Sequence, residues 1–248
     1  MNLAYEYFSL ILNYKRLHHE TTWIWYEEIN PTISSLGVRA NPRPPLYTIP
    51  AIRASNKIEV IMNSADIVTY LDTEYDFLKK RVIAHGTRDL QLAQVDAINA
   101  TLIARIVPMV TENIAYVIPD GPHRDHWRTG MYNKFGKTPK IMSSTACNLG
   151  VLIGIPIDQM FPPEKQEAMW NGVKGALDKV AELAGERTID SPWLFGGTSP
   201  NYVDFSLCGV FIMLERVGPK GGWDKIKDLN GGIWSRLFEA CRPWMVVH

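Results

Sequence analysis

The stretch Tyr47 to Asp72 limits what this chain can fold into more than any other. Tyr47-Thr48-Ile49-Pro50-Ala51-Ile52 is followed by a polar turn at Ser55-Asn56-Lys57 and by the apolar run Ile58-Glu59-Val60-Ile61-Met62. Two short runs rich in β-branched residues around a small polar turn predict a hairpin. The next segment has apolar residues at Ile67, Val68, Tyr70 and Leu71, a helical spacing. The unit is therefore strand, turn, strand, helix. Its punctuation carries chemistry. Pro50 stands before a strand and cannot donate to a ladder, and X-Pro is the peptide bond for which a cis form is accessible. A cis Ile49-Pro50 turns the Ile49 backbone outward, where a peptide-like ligand can pair with it in strand fashion. Asn63 or Ser64 opens the helix, with Asp66 in capping-box spacing from Asn63. The first N–H groups of that helix and its dipole make a site for a carboxylate. Turn and cap chemistry alone also places Ile-Pro and Asn-Ser at such positions.

Equal numbers of basic and acidic residues, 26 each, leave no global field to attract nucleic acid or an anionic membrane. The apolar runs are broken by charge or proline well short of a membrane span, and Glu6 interrupts the N-terminal one, which has no basic region before it. A cytoplasmic location is expected, with no nucleic acid and no membrane span. With 248 residues, 46% of them hydrophobic, the chain can bury a large core. Cys147, Cys208 and Cys241 are widely spaced and form no CxxC, so reduced thiols are expected. His123 and His126 share a helix face but have no third ligand at metal spacing, and a solvated basic turn is the reading preferred.

Leu3 to Leu17 has an i, i+3, i+4 stripe of Leu3, Tyr7, Leu10, Ile11 and Tyr14, with Lys15 and Arg16 suited to the dipole at its end. Thr21 to Tyr26, β-branched and aromatic, is predicted as a strand. The order to Asp72 is thus helix, strand, helix, strand, strand, helix. The basic stretch from Leu78 to Gly86 reads as a linker. A long helix follows to about Tyr116, kinked at Pro108, with Thr101, Arg105, Met109 and Glu112 as candidates for the wall of a cleft. His123 to Phe135 is a further helix. Another starts at Pro162-Pro163-Glu164, and a buried helix, Tyr202 to Val217, is capped by Asn201-x-x-Asp204. Trp223 and Trp234 anchor a last helix. The apolar, nearly uncharged segment 143–160 fits none of these elements and reads as a lid, a membrane-touching loop or retained non-native sequence.

Ile49-Pro50 before the hairpin, then Asn63-Ser64 and Ile67-x-x-Tyr70-Leu71, resembles the glutathione-binding half of a glutathione transferase. Gly196-Gly197-Thr198-Ser199-Pro200-Asn201-Tyr202-Val203-Asp204-Phe205 resembles the capped aspartate helix of that family's helical domain. Lys134-Phe135-Gly136-Lys137, with Tyr47 to Ile52, is most similar to the fungal etherase-type branch. The resemblance implies an α+β two-domain fold. A thioredoxin-like N-terminal domain lacking its first strand (1–78) is joined by a linker (79–86) to an all-α C-terminal helical bundle (87–248). It implies glutathione as co-substrate, a small apolar or aromatic partner molecule, and a homodimer. The expected activity is glutathione-dependent conjugation or ether cleavage, with a non-catalytic glutathione- or hydrophobic-ligand-binding protein as the alternative. Carried over by position, Ile49 pairs with the cysteinyl amide of glutathione, Pro50 holds the turn, and Asn63 with Ser64 receives the γ-glutamyl carboxylate. The family usually has an acid at Asn63, and its absence removes an attraction for the ligand ammonium of about 1–2 kcal/mol. In the etherase-type branch a serine on the first turn precedes Leu-Asn-Tyr-Lys, present here as Leu12-Asn13-Tyr14-Lys15. The matching position is Asn2, so three readings are open: Asn2 as surrogate donor to the thiol, a truncated start, or binding without catalysis. Arg39 and Arg43, in the loop before the hairpin, are outside candidates for the glycyl carboxylate.

Overall fold

The computed structural model describes residues 3–54, 57–76, 79–135, 162–185, 191–195 and 197–246. Asn2, Ser55, Asn56, Cys147 and the segment 143–160 lie outside these residues. The apolar stripe of the first segment folds into α1 (Leu3–Lys15), with Phe8, Leu10, Ile11 and Tyr14 buried. After a short helix, α2 (Ile29–Ser35), the hairpin forms as β1 (Ala51–Arg53) and β2 (Val60–Met62). The strands are antiparallel with Ala51 opposite Met62 and Arg53 opposite Val60. Then comes α3 (Ser64–Glu74), which buries Ile67, Val68 and Leu71, one stripe of the predicted spacing.

Thr21 to Tyr26, predicted as a strand, is not one. Residues 21–25 have no regular structure and Tyr26–Glu28 is a 3₁₀ turn. β-branched and aromatic side chains favour a pleated surface only where a neighbour takes up the backbone groups. Among the described residues the sheet consists of β1 and β2, which pair with each other. Segment 21–28 is held by other means. The Glu28 carboxylate accepts the Trp25 N–H at 2.7 Å. The Trp25 ring stacks on His123, with centroids 4.0 Å apart and 8° between planes, and His123 is hydrogen-bonded to Glu27. His123 and His126 thus face aromatic side chains, Trp25 and Tyr26, on another segment.

The long helix divides into α4 (Arg88–Ile98), a π turn at Asn99–Ile103, and α5 (Ala104–Val117). The break comes one turn earlier than Pro108. The π turn hands over at Ala104, the residue whose carbonyl loses its i+4 amide donor to Pro108. By length and composition the run Arg88–Thr111 would suffice to cross a membrane, but Val95, Ile98, Leu102, Ile106, Met109 and Val110 are buried against the rest of the chain. α6 (Pro122–Phe135) and α7 (Gln166–Leu183) follow, the latter preceded by a 3₁₀ turn at Pro163–Lys165.

α8 (Tyr202–Val217) is buried along almost its whole length and touches α1, α4, α5 and α9 (Leu229–Cys241). Its start is a reciprocal cap. Asn201 Oδ1 accepts the N–H groups of Val203 and Asp204, while Asp204 Oδ2 accepts the Asn201 N–H at 2.9 Å and Oδ1 the Leu194 N–H at 2.7 Å. Trp223 and Trp234 pack on Phe211 from α8, and Trp244 closes on Tyr14 and Phe205. Cys208 and Cys241 are free, buried thiols. Burial, with the Cys241 thiol beside it, pushes the Cys208 thiol well above its ordinary pKa, the state of an inert core cysteine.

Candidate functional site

The hairpin and α3 bring Ile49, Pro50, Asn63 and Ser64 to one end of the β1–β2 ladder. Ile49-Pro50 is cis, as is Pro44-Pro45. Continuing the register of Ala51 with Met62 puts Ile49 level with Ser64. The Thr48 N–H donates to Met62 Sδ at 3.0 Å, and Thr48 Oγ1 lies 3.4 Å from Asn63 Oδ1, which fixes the approach to Pro50 against the start of α3. Among the described residues, the Ile49 amide and carbonyl enter no hydrogen bond. All four residues are half-buried, so they are both ordered by neighbours and reachable.

Asn63 does not cap α3 with its side chain, and no capping box forms with Asp66. Its backbone lies in the left-handed region, φ 71°, which aims the side chain away from the helix. Asn63 Nδ2 donates instead to Asn41 Oδ1 at 3.2 Å. The first helical bond of α3 runs from the Ile67 N–H to the Asn63 carbonyl at 2.9 Å. The N–H groups of Ser64, Ala65 and Asp66 therefore have neither an intrahelical acceptor nor a side-chain cap, and they point beyond the helix end with the positive pole of its dipole. Such an end binds a carboxylate.

Asn41 escaped sequence reasoning. It shapes the loop ahead of the hairpin by donating from Nδ2 to the Pro45 carbonyl at 2.9 Å and from its N–H to the Leu46 carbonyl at 2.8 Å, while holding Asn63. An Asx residue just ahead of a proline-rich turn was the available signal. Arg39 and Arg43 are exposed on the same loop.

Of the candidates for a cleft wall, Met109 is 1% exposed and belongs to the core. Arg105 turns toward α7, with its side chain beside Gly172 and its guanidinium donating to the Thr101 carbonyl. Thr101 donates to the Ala97 carbonyl within its own helix at 2.6 Å. Of the three only Met109 is packed in the core, Thr101 being half-buried and Arg105 exposed, and the Glu112 side chain lies outside the described residues. A groove of about 520 Å³ runs between the start of α7 and the segment before α9, lined by residues including Trp170, Lys174, Lys225 and Ile226, none of them shared with the Ile49–Ser64 site. Tyr14 cannot serve a thiol there. It is buried and bonded to Ser199, and burial holds its hydroxyl above the ordinary tyrosine pKa despite that bond. Among the described residues no group of His, Cys, Asp or Glu is arranged to hold a metal ion.

Comparison with known proteins bears on the fold and on the C-terminal half. Residues 149–244 match the family Glutathione S-transferase, C-terminal domain. The glutathione S-transferase-like protein ustS of Aspergillus flavus is 22% identical over 247 residues, covering 95% of this chain and 82% of that protein. Two crystal structures share the fold along the whole chain. The glutathione S-transferase CsGST63524 of Ceriporiopsis subvermispora, in complex with glutathione, has a TM-score of 0.84 at 21% identity, over 100% of this chain and 92% of that one. Glutathione transferase GSTFuA3 from Phanerochaete chrysosporium has a TM-score of 0.79 at 20% identity, with the same coverage of 100% and 92%.

Proposed function

We propose that this chain, which shares the fold of fungal glutathione transferases and matches the family's C-terminal domain over residues 149–244, binds glutathione at the end of the β1–β2 hairpin and joins it through its sulfur to a small aromatic or apolar electrophile. One observation carries this reading: the start of α3 offers three amide N–H groups that its own N-cap leaves without an acceptor, next to an Ile49 backbone with no partner among the described residues. The γ-glutamyl carboxylate occupies the helix end, within reach of the Ser64 hydroxyl, and the cysteinyl unit pairs with Ile49 in strand fashion. The glutathione-bound fungal structure of the same fold supports the choice of ligand. In the reaction, the thiolate of bound glutathione attacks the electrophilic carbon. A carbon–sulfur bond forms as the bond to the leaving group breaks, the leaving group takes the electron pair, and the thiol proton goes to solvent. Ether cleavage is the same displacement with an aryloxide as leaving group.

The division into 1–78, 79–86 and 87–248, a homodimer and a cytoplasmic location belong to this reading. Leu90 on α4 and Ile58 in the hairpin, 60% and 94% exposed, are surface apolar residues that a second copy could cover. Sedimentation tests the dimer. Retention on immobilised glutathione, eluted by free glutathione, tests the ligand, and conjugation of 1-chloro-2,4-dinitrobenzene tests turnover. Retention with turnover is expected. Retention without turnover leaves a glutathione-binding protein, and no retention overturns the reading.

A further inference from the structure

Leu12-Asn13-Tyr14-Lys15 is part of the resemblance, yet its polar groups are all bonded away from the Ile49–Ser64 site. Lys15 is fully buried, its side chain 0% exposed, and Nζ meets Asp72 Oδ1 at 2.7 Å. Nζ also donates to the Lys80 carbonyl at 2.9 Å. Asp72, near the end of α3, uses its remaining lone pairs on the connecting segment, accepting the Val82 N–H at 3.0 Å and the Ile83 N–H at 2.6 Å. The Val82 carbonyl accepts the N–H of Tyr202, the first residue of α8, at 3.0 Å. From the other side, Lys80 Nζ donates to the Tyr14 carbonyl at 2.7 Å, and Asn13 Nδ2 donates to the carbonyls of Trp244 and Val246. One buried ion pair therefore joins α1, α3, the segment between the two halves and the head of α8.

Taking two charges out of water costs several kcal/mol per ion, and an apolar pair of similar volume would often stabilise the fold as well or better. What such a pair supplies is geometry: Asp72 must sit where one ammonium and two amides converge. α3 is a rigid rod, and from Asp72 to Ser64 is eight residues, about 12 Å at the helical rise. An angular error at Asp72 is therefore carried to the carboxylate site at the other end.

We propose that Lys15 and Asp72 are positioning residues that fix the angle between the glutathione-binding half and the helical half, and so the place of the electrophile relative to the thiol. The part of this claim that concerns the electrophile rests on the glutathione reading; the part that concerns the angle does not.

Removing Asp72 alone strands a buried ammonium and endangers folding, so the variant of choice is Lys15→Met with Asp72→Asn, which removes both charges and keeps an acceptor for the Val82 amide. Circular dichroism and a cooperative thermal transition establish that it folds. Spin labels at Ile58→Cys and Leu183→Cys, both exposed in the parent chain, with Cys147→Ser to remove a competing thiol, report the angle. A broadened or shifted inter-label distance is expected, with faster hydrogen exchange at Val82, Ile83 and Tyr202 and unchanged exchange within α3. With 1-chloro-2,4-dinitrobenzene, glutathione affinity stays within about twofold while KM for the electrophile rises about tenfold, a ratio of about 1.4 kcal/mol. An unchanged distance distribution overturns the proposal. So does a loss of activity that follows the folded fraction with both KM values unaltered, since stability alone would do that. If the parent chain does not bind glutathione, the glutathione reading fails by itself and the distance distribution still decides the angle.

Discussion

At Asn63 the chain must pass from a strand to a helix within one residue, and it does so at φ 71°. Asparagine is favoured as a cap because its side-chain oxygen can accept a first-turn amide, whereas at φ 71° and ψ 131° Asn63 holds a backbone conformation that glycine takes most readily. From the sequence the two roles look alike, and the cap was the one expected. What separates them is Asn41, 22 residues away, which takes the Asn63 amide and turns it from the helix. Asn63→Gly keeps the backbone and loses the side-chain bonds, whereas Asn63→Ala loses the bonds and adds left-handed strain. In urea unfolding the alanine variant should be less stable than the glycine variant by about 1 kcal/mol. Asp204 is the opposite case, where spacing alone gave the result. Asn201-x-x-Asp204 holds the whole signal of a reciprocal cap, and the cap is formed. The sequence could not show that Asp204 also accepts the Leu194 N–H from another segment. Asp204→Ala should cost about 3 kcal/mol, the loss of a cap plus a buried amide left without an acceptor, and Asp204→Asn less. Thermal unfolding of the two variants checks both the size and the order.

Elements were recoverable wherever the pattern needed only its own residues. α1, α3, α7 and α8 follow from apolar spacing and from punctuation by proline, glycine and caps. The segment 21–28 fails for a reason that no local pattern contains: a strand exists only beside another strand, and Trp25 found His123 instead. That docking has a pH signature. Burial pushes the Glu27 carboxyl up, but the hydrogen bond from His123 and the nearby His126 outweigh it and hold Glu27 below its ordinary value. A carboxyl whose folded-state pKa is depressed stabilises the fold above its unfolded pKa, about 4.5, and loses that contribution as pH falls through the folded-state value. Glu27→Gln should therefore lower the melting temperature at pH 7 and make little difference near pH 3. A difference that is the same at both values would mean that the charge on Glu27 plays no part in docking this segment to α6.

At the scale of the molecule, the order of elements and the helical half were readable because α8 is apolar nearly all round and so must lie in the middle of a bundle. The joint between the halves was not. A basic stretch reads as a solvated linker, yet Val82 and Ile83 are buried and Lys15 lies beneath them, paired with Asp72. A buried lysine at the end of an amphipathic helix looks, in sequence, like a cation placed for the helix dipole. The Ile49–Ser64 site was readable in outline, as a turn and a helix start, and its ligand is the claim on which the functional account stands. The most direct test is a titration of the ¹⁵N-labelled protein with reduced glutathione, followed residue by residue through the backbone amides. The account predicts saturable shifts at Ile49 and Ala51 and at Ser64, Ala65 and Asp66, with the same amides moved by S-methyl glutathione, which keeps the peptide and carboxylate groups that those amides meet. Binding that leaves those amides unmoved, or shifts gathered in the groove between α7 and α9, would contradict it.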